Sequence, residues 1–432
     1  MRFSRNSALL FGLLCAGFLF RLFIARLAPQ PFVYDQDEYY GYALGILNKG
    51  LHADLYRLYG YPLIVSPLIY FFGVKSALPW TVFHAVLDTM TALLVYWIAR
   101  YLSSPRTRGS RGECWIAFIL YLFNPFTAGY VGVLLSEIVT VFLITIISAI
   151  LIRFYEKKSF LRLTVLSLFL GFLPQVRPVF ILASAITAVI AVWVYLPGLK
   201  KVQKKIVVLS FSLIVFSLPF WYTIAGNLVY YKQFSILGVE PTVVRELYAS
   251  LFIGRGQPFT DMKWGDWPVE AQNAWGAFTA PPDAAGRAAV ADQYLKKAIT
   301  IIERDRIGFL QSRLAKMGYV LEKHFIYPYV MGKPSEAVKA LTYWGNIALL
   351  LMAGIGLVAA GKSKRSIVSG VIIFFLYISL AHMFSTSEER FSLPAYPWIA
   401  VFAGYGLWRL GYLFGFSHQG KAGGETTPSL LS

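Results

Sequence analysis

Charge is scarce in this 432-residue chain: Asp, Glu, Lys and Arg make up only 14% of it, against roughly 25% in a soluble globular domain. That shortage, together with 57% apolar residues, excludes a soluble protein. It points to an all-α polytopic membrane protein, whose length is better counted in spans than in domains. Cysteine is nearly missing. Cys15 and Cys114 both fall inside or at the edge of apolar segments, so neither is placed for an extracytoplasmic disulfide, and no Cys/His metal spacing exists. Acids are short as well, 22 against 40 Lys and Arg, giving a formal net charge of +18. No basic stripe with interleaved aromatics accompanies this excess, which speaks against nucleic acid. There is no internal repeat, and the only low-complexity tract is the polar tail after Ser417.

Long apolar runs are what the chain does have. Ten segments approach the roughly 20 residues that cross a bilayer core: 7–27, 79–99, 114–133, 136–152, 160–175, 178–196, 206–226, 341–360, 367–384 and 394–413. A further stretch at 61–73 holds Pro62, Pro67 and Gly73 and is too short to span, so it reads as re-entrant or interfacial. Arg2 and Arg5 precede the first span as in a signal sequence. Arg21 and Arg26 late in the run, and the lack of a small-x-small cleavage site, favour a retained anchor.

Basic residues fill alternate connections. Arg100, Arg106, Arg108 and Arg111 follow the second span. Arg153, Lys157, Lys158 and Arg162 follow the fourth, and Lys200, Lys201, Lys204 and Lys205 follow the sixth. Lys362, Lys364 and Arg365 follow the eighth. The positive-inside rule makes these loops cytoplasmic and both chain ends internal. The expected organisation is an N-terminal membrane module at 1–226 with a first exterior loop at 28–78, then a large extracytoplasmic loop at 227–340. C-terminal transmembrane helices at 341–415 and a cytoplasmic tail at 416–432 complete it. Within the large loop, 284–304 carries Val290, Tyr294, Ala298 and Ile302 at helical spacing. Residues 306–325 place Ile307, Leu310, Leu314, Met317 and Leu321 on one face, with Arg306, Arg313, Lys316 and Lys323 elsewhere around it. The second helix suits either the membrane surface beside anionic headgroups or packing against the rest of the loop.

The exterior side collects the unusual polar residues. Asp35, Asp37 and Glu38 stand together after the first span, with Gln36 between the aspartates. Glu137 follows Ser136 at the mouth of the fourth span. Arg177 precedes Pro178, and Glu388 and Glu389 precede Arg390. Charge at a membrane face is costly unless solvated, paired or used. A carboxylate there can act as general base towards an acceptor hydroxyl or amine, and arginines suit phosphate through planar bidentate donors. No motif calls for an organic cofactor; a divalent cation held by Asp35 and Asp37 is a further way to grip phosphate. Asp88, one turn from His84 in the second span, reads as half of a mutual hydrogen bond or as a helix–helix contact. His324 and Tyr327 read as packing residues beneath the loop, with lining of a cavity there as the alternative.

In order and side, these motifs resemble the C-type glycosyltransferases that use polyprenyl-phosphate sugars, in particular the protein O-mannosyltransferases and lipid A aminoarabinose transferases. Asp37-Glu38 with Tyr40 and Ala43 resembles that family's exterior Asp-Glu motif. Tyr59-Gly60-Tyr61-Pro62-Leu63 with Phe72-Gly73 resembles the approach to its second span. Leu135-Ser136-Glu137 resembles its Ser-Glu; Gly171 with Arg177-Pro178, and Arg390-Phe391-Ser392-Leu393-Pro394, resemble its Arg-Pro turn and its C-terminal Arg-aromatic-x-x-Pro. The resemblance implies an enzyme of the bacterial cytoplasmic membrane. It would carry out an inverting transfer of a hexosyl or pentosyl group from a lipid-phosphate donor to a glycan, lipid or protein acceptor outside. Asp37 is then the base, with Asp35 as the competing candidate and Glu38 polarising the site. Arg177 and Arg390 are donor-phosphate ligands, Glu137 is a sugar or metal contact, and Tyr61 lines the substrate site. Two other readings stay open: a polysaccharide polymerase or ligase working through Arg245, Arg255 and Arg287, and a transporter or flippase built on Asp88.

Overall fold

The computed structural model describes residues 5–73, 77–103, 112–252, 267–279, 283–329, 335–361, 365–386 and 388–413. Apolar backbone in a membrane must satisfy its own N–H and C=O groups, and among the described residues the chain does so with helices and no strands. In order these are α1 (Arg5–Leu27), α2 (Asp35–Lys49), α3 (Gly60–Phe72), α4 (Ala77–Leu102), α5 (Gly112–Leu122) and α6 (Pro125–Ala128). Next come α7 (Glu137–Glu156), α8 (Phe160–Val176), α9 (Ile181–Tyr195), α10 (Val202–Ser217), α11 (Phe220–Tyr231) and α12 (Thr242–Ala249). The last six are α13 (Val269–Thr279), α14 (Ala284–Arg304), α15 (Arg306–Tyr319), α16 (Glu336–Gly361), α17 (Arg365–Met383) and α18 (Tyr396–Leu413). A 3₁₀ segment, Glu389–Ala395, leads into α18.

The chain is an integral membrane protein. Among the described residues, five helical stretches are long and apolar enough to cross a bilayer: Ala8–Leu27, Ala77–Leu102, Glu137–Glu156, Pro178–Gly198 and Glu336–Ala360. A sixth counts if α10 and α11, bent by 52° at their junction, are taken together. The expected spans at 160–175 and 367–384 coincide with the shorter apolar helices α8 and α17, so a count of ten does not follow from length and apolarity. The stretch at 114–133 is corrected outright. Its helix stops at Leu122, because Asn124 turns extended and its side chain accepts from the Phe126 and Thr127 amides, with Pro125 at the first position of α6. The 61–73 stretch is helix α3, 13 residues long.

Two devices fix the membrane core. At the first, a methyl on Gly356 of α16 would collide with the Phe402 carbonyl, and one on Gly406 of α18 with the Met352 carbonyl. Small residues thus bring α16 and α18 into close backbone contact. At the second, Arg21 of α1 lies wholly buried with its Nε 2.6 Å from Asp88 of α4, while Nη1 donates to the Gly17 and Leu122 carbonyls. Tyr121 and Thr127 also donate to Asp88, at 2.6 and 3.0 Å. His84 instead meets the Tyr61 hydroxyl and the Val131 carbonyl, both at 3.2 Å. Of the two readings of Asp88, the helix–helix contact holds and the bond to His84 does not.

The segment after α11 has its own small core of Tyr248, Leu251, Ala274, Phe278, Tyr294 and Ala298, with Val290 and Ile302 of the α14 stripe packed against it. Helix α15 suits, by sequence, either the membrane surface or packing on the loop. Its basic side faces inward: Arg313 donates to the Ser250 hydroxyl and carbonyl and to the Met383 carbonyl, and Lys316 donates to the Ser250 and Ser385 carbonyls. Those carbonyls end α12 and α17, where cations are favoured. Ile307, Leu310 and Leu314 are left exposed, Ile307 by 74%, and the helix ends at Tyr319, short of Lys323.

Candidate active site

The site is assembled at the first turn of α2. Tyr34 sits at positive φ (53°) just before it, and Gln36 turns inward, its Oε1 accepting from the Leu134 amide at 2.8 Å and its Nε2 donating to the Pro31 carbonyl. That anchor points the acids outward at a helix N-terminus, where the dipole favours them. Asp35 and Glu38, three residues apart, share a face. Arg57 clamps both: Nη2 lies 2.6 Å from Asp35 Oδ1 and 2.6 Å from Glu38 Oε2. Asp54 prepares it by accepting from the Tyr56 and Arg57 amides through one side-chain oxygen, and the guanidinium lies 4.8 Å over Tyr39 and 4.9 Å over Tyr56.

Arg390 approaches from the other side. Its Nη2 is 3.1 Å from Asp35 Oδ2 and donates to Glu388 at 3.0 Å, while Nε lies 3.6 Å from Glu137 Oε1. Arg177, at the end of α8, brings Nη1 to 3.0 Å from the same Glu137 oxygen. Phe391 lies under both guanidinium groups, 5.1 Å from Arg177 and 5.7 Å from Arg390. Glu137 itself, the first residue of α7, is 3% exposed, and its Oε2 has no hydrogen-bond partner among the described residues. Burial raises the Asp35 pKa, but Arg57 and Arg390 outweigh it and hold the carboxyl well below the usual range. Burial pushes Glu388 up, against the pull of Arg390.

Asp35, Glu38, Glu137, Arg177 and Arg390, distant in sequence, therefore meet. Asp37 lies about 200° around the helix from Asp35 and is exposed. Tyr61 lies beneath the site, not in it. It is fully buried, its ring 4.9 Å from Tyr39, and Tyr39 in turn bonds Ser136. The Tyr61 ring has no exposed surface here and supports Tyr39 from below. Asp35 and Asp37 do not suit a cation, since both Asp35 oxygens accept from guanidinium groups and Asp37 points elsewhere. Among the described residues no group of three or more His, Cys, Asp or Glu could hold a metal ion.

Arg57 is the residue that pattern reading missed. Its signal was slight: a single arginine between aromatics, in Tyr56-Arg57-Leu58-Tyr59, just ahead of the Tyr-Gly-Tyr-Pro run. Arg245 and Arg287, by contrast, are buried in packing. Arg245 lies 2.5 Å from Glu240 and 3.8 Å over Trp275, and Arg287 donates to Gln233 at 2.8 Å; Arg255 lies outside the described residues. Below the site, Glu389 accepts from the His324 amide at 2.9 Å and meets its Nδ1 at 2.8 Å, Lys323 donates to Ser392, and Tyr327 donates to the Ile24 carbonyl.

No protein-family model matches the chain, and no curated protein does. Solved structures do. The chain is similar to the apo crystal structure of the Archaeoglobus fulgidus oligosaccharyltransferase, with a TM-score of 0.51 and 15% identity over 94% of this chain and 51% of that one. It is also similar to the archaeal oligosaccharyltransferase AglB from Archaeoglobus fulgidus in complex with an inhibitory peptide and a dolichol-phosphate, with a TM-score of 0.50 and 15% identity over 98% and 53% of the two chains. The shared feature is the fold, and this chain spans about half the length of those structures.

Proposed function

We propose that the protein is a membrane glycosyltransferase that moves a sugar from a polyprenyl-phosphate donor to an acceptor on the extracytoplasmic face, with inversion at the anomeric carbon. The observation that supports this most is the meeting of Arg57, Arg177 and Arg390 with Asp35, Glu38 and Glu137 at one end of the helices. The fold shared with a protein solved with a dolichol-phosphate adds to it, as does the alternation of basic loops, which fits an outward position for this end. The acceptor hydroxyl gives its proton to a carboxylate of the first turn of α2, Asp37 or Asp35, as that oxygen attacks the anomeric carbon. The bond from that carbon to the phosphate oxygen breaks, and the polyprenyl phosphate leaves with its added charge matched by Arg390 and Arg177. Asp35, engaged by two guanidinium groups, sets their positions and is a poor base for the same reason. Glu38 and Glu137 complete the polar wall. The sugar, hexosyl or pentosyl, and the acceptor, whether glycan, lipid or protein, are identified by supplying each in turn.

The test is donor consumption by the full-length protein in liposomes supplied with polyprenyl-phosphate sugars. Asp37→Asn is expected to lose transfer by at least about a hundredfold while still accumulating and binding donor. Unchanged transfer in Asp37→Asn with loss in Asp35→Asn would move the base to Asp35; no consumption of any donor by the wild type would remove the reading.

A further inference from the structure

The helix that begins at Glu137 reaches Arg153 sixteen residues later, about 24 Å away at 1.5 Å per residue. There the ends of α4 and α7 and the start of α8 enclose a groove of about 470 Å³, within the roughly 300–1,000 Å³ typical of small-molecule sites. Its walls are apolar, formed by Leu94 of α4, Ile150 of α7, and Leu161 and Val165 of α8. Its rim is basic. Arg153 lies 4.6 Å over the Trp97 ring and pairs with Glu156 at 3.0 Å, while Arg162 uses one terminal nitrogen to bind the Arg153 and Lys157 carbonyls at 2.7 and 2.8 Å. A guanidinium carries five N–H donors, so both arginines keep donors for a further anion. Lys157 and Lys158 stand exposed on the adjoining turn, where the acid Glu156 pairs with Arg153.

The groove opens between α4 and α7, each long and apolar enough to cross the bilayer, so its apolar walls face acyl chains while its rim faces headgroups. We propose that it binds an anionic phospholipid, with one acyl chain along Leu94, Ile150, Leu161 and Val165 and the phosphate between Arg153 and Arg162. Basic pockets between helices at the cytoplasmic surface favour such headgroups. The site is separate from the candidate active site and does not rest on the sugar-transfer reading.

The experiment measures lipid retained by the full-length protein, delipidated and returned to phosphatidylcholine vesicles with or without phosphatidylglycerol, and counted by native mass spectrometry. Phosphatidylglycerol is expected to be retained over phosphatidylcholine, and Arg153→Gln to weaken retention about fivefold. Val165→Trp, which fills the groove and leaves every charge in place, is expected to expel the lipid, whereas Lys158→Gln changes little. Equal retention of the two lipids, or retention unchanged by both Arg153→Gln and Val165→Trp, would overturn the proposal. So would displacement of phosphatidylglycerol by millimolar inorganic phosphate, since the acyl chain would then contribute nothing.

Discussion

The carboxylate of Asp35 and the guanidinium of Arg390 lie 3.1 Å apart, joining the first turn of α2 to the turn that precedes α18. With Arg57 on its other oxygen, Asp35 is the point through which the two ends of the chain share one site. Its pKa is held below the usual value of 3.8, so the stability it contributes is present above that value and is lost as pH falls through the folded-state pKa. Asp35→Asn is expected to cost about 2 kcal/mol at pH 7 and to flatten the loss of stability that the wild type shows below about pH 5. Thermal unfolding of both proteins in detergent across that range checks this; parallel curves would show that the pair contributes nothing.

Arg57 grips two carboxylates at once, a geometry a lysine cannot copy. Arg57→Lys is therefore expected to lower sugar transfer at least about tenfold without loss of accumulation, and Arg57→Ala to lower it further. A lysine variant with full activity would reduce Arg57 to a source of positive charge.

Burial holds the Lys323 ammonium down to about 7 against the pull of Glu389. An unfolded lysine titrates near 10.5, so between these values the unfolded chain carries the extra proton and stability rises with pH. Subtracting the unfolding profile of Lys323→Met from that of the wild type should expose this rise between about pH 7 and pH 10. A flat difference would mean that Lys323 stays charged in place.

The Arg21–Asp88 pair lies wholly within the helix packing. Removing one member leaves a buried charge, so Asp88→Asn is expected to cost about 3–5 kcal/mol. Arg21→Met with Asp88→Leu should recover most of it. If Asp88→Asn folds normally but an uptake activity disappears, the pair belongs to a transport pathway and not to the scaffold.

The convergence of Asp35, Glu137, Arg177 and Arg390 was legible because each falls at the same end of an apolar stretch, and parity of the basic loops assigns that end to one side. The break after Leu122 was also written in the sequence, as Asn124-Pro125, but the apolar run around it masked the boundary. Arg57 was harder, since an irregular loop has no period to mark a direction. In α15 the period was legible but the side was not: amphipathicity says that two faces differ but not which is covered. The Ser250, Met383 and Ser385 carbonyls that draw Arg313 and Lys316 inward come from elements far away in the chain.

Four carboxylates, Asp35, Glu38, Glu137 and Glu388, face three guanidinium groups, Arg57, Arg177 and Arg390. The three arginines are thus already matched, with one carboxylate in excess, before any ligand arrives. On the proposed reading, an incoming phosphate exchanges with a side chain the protein supplies itself. Occupancy of Arg390 is a competition between internal and external anions, in which local concentration favours the carboxylate and only a ligand anchored in the same membrane meets it on comparable terms.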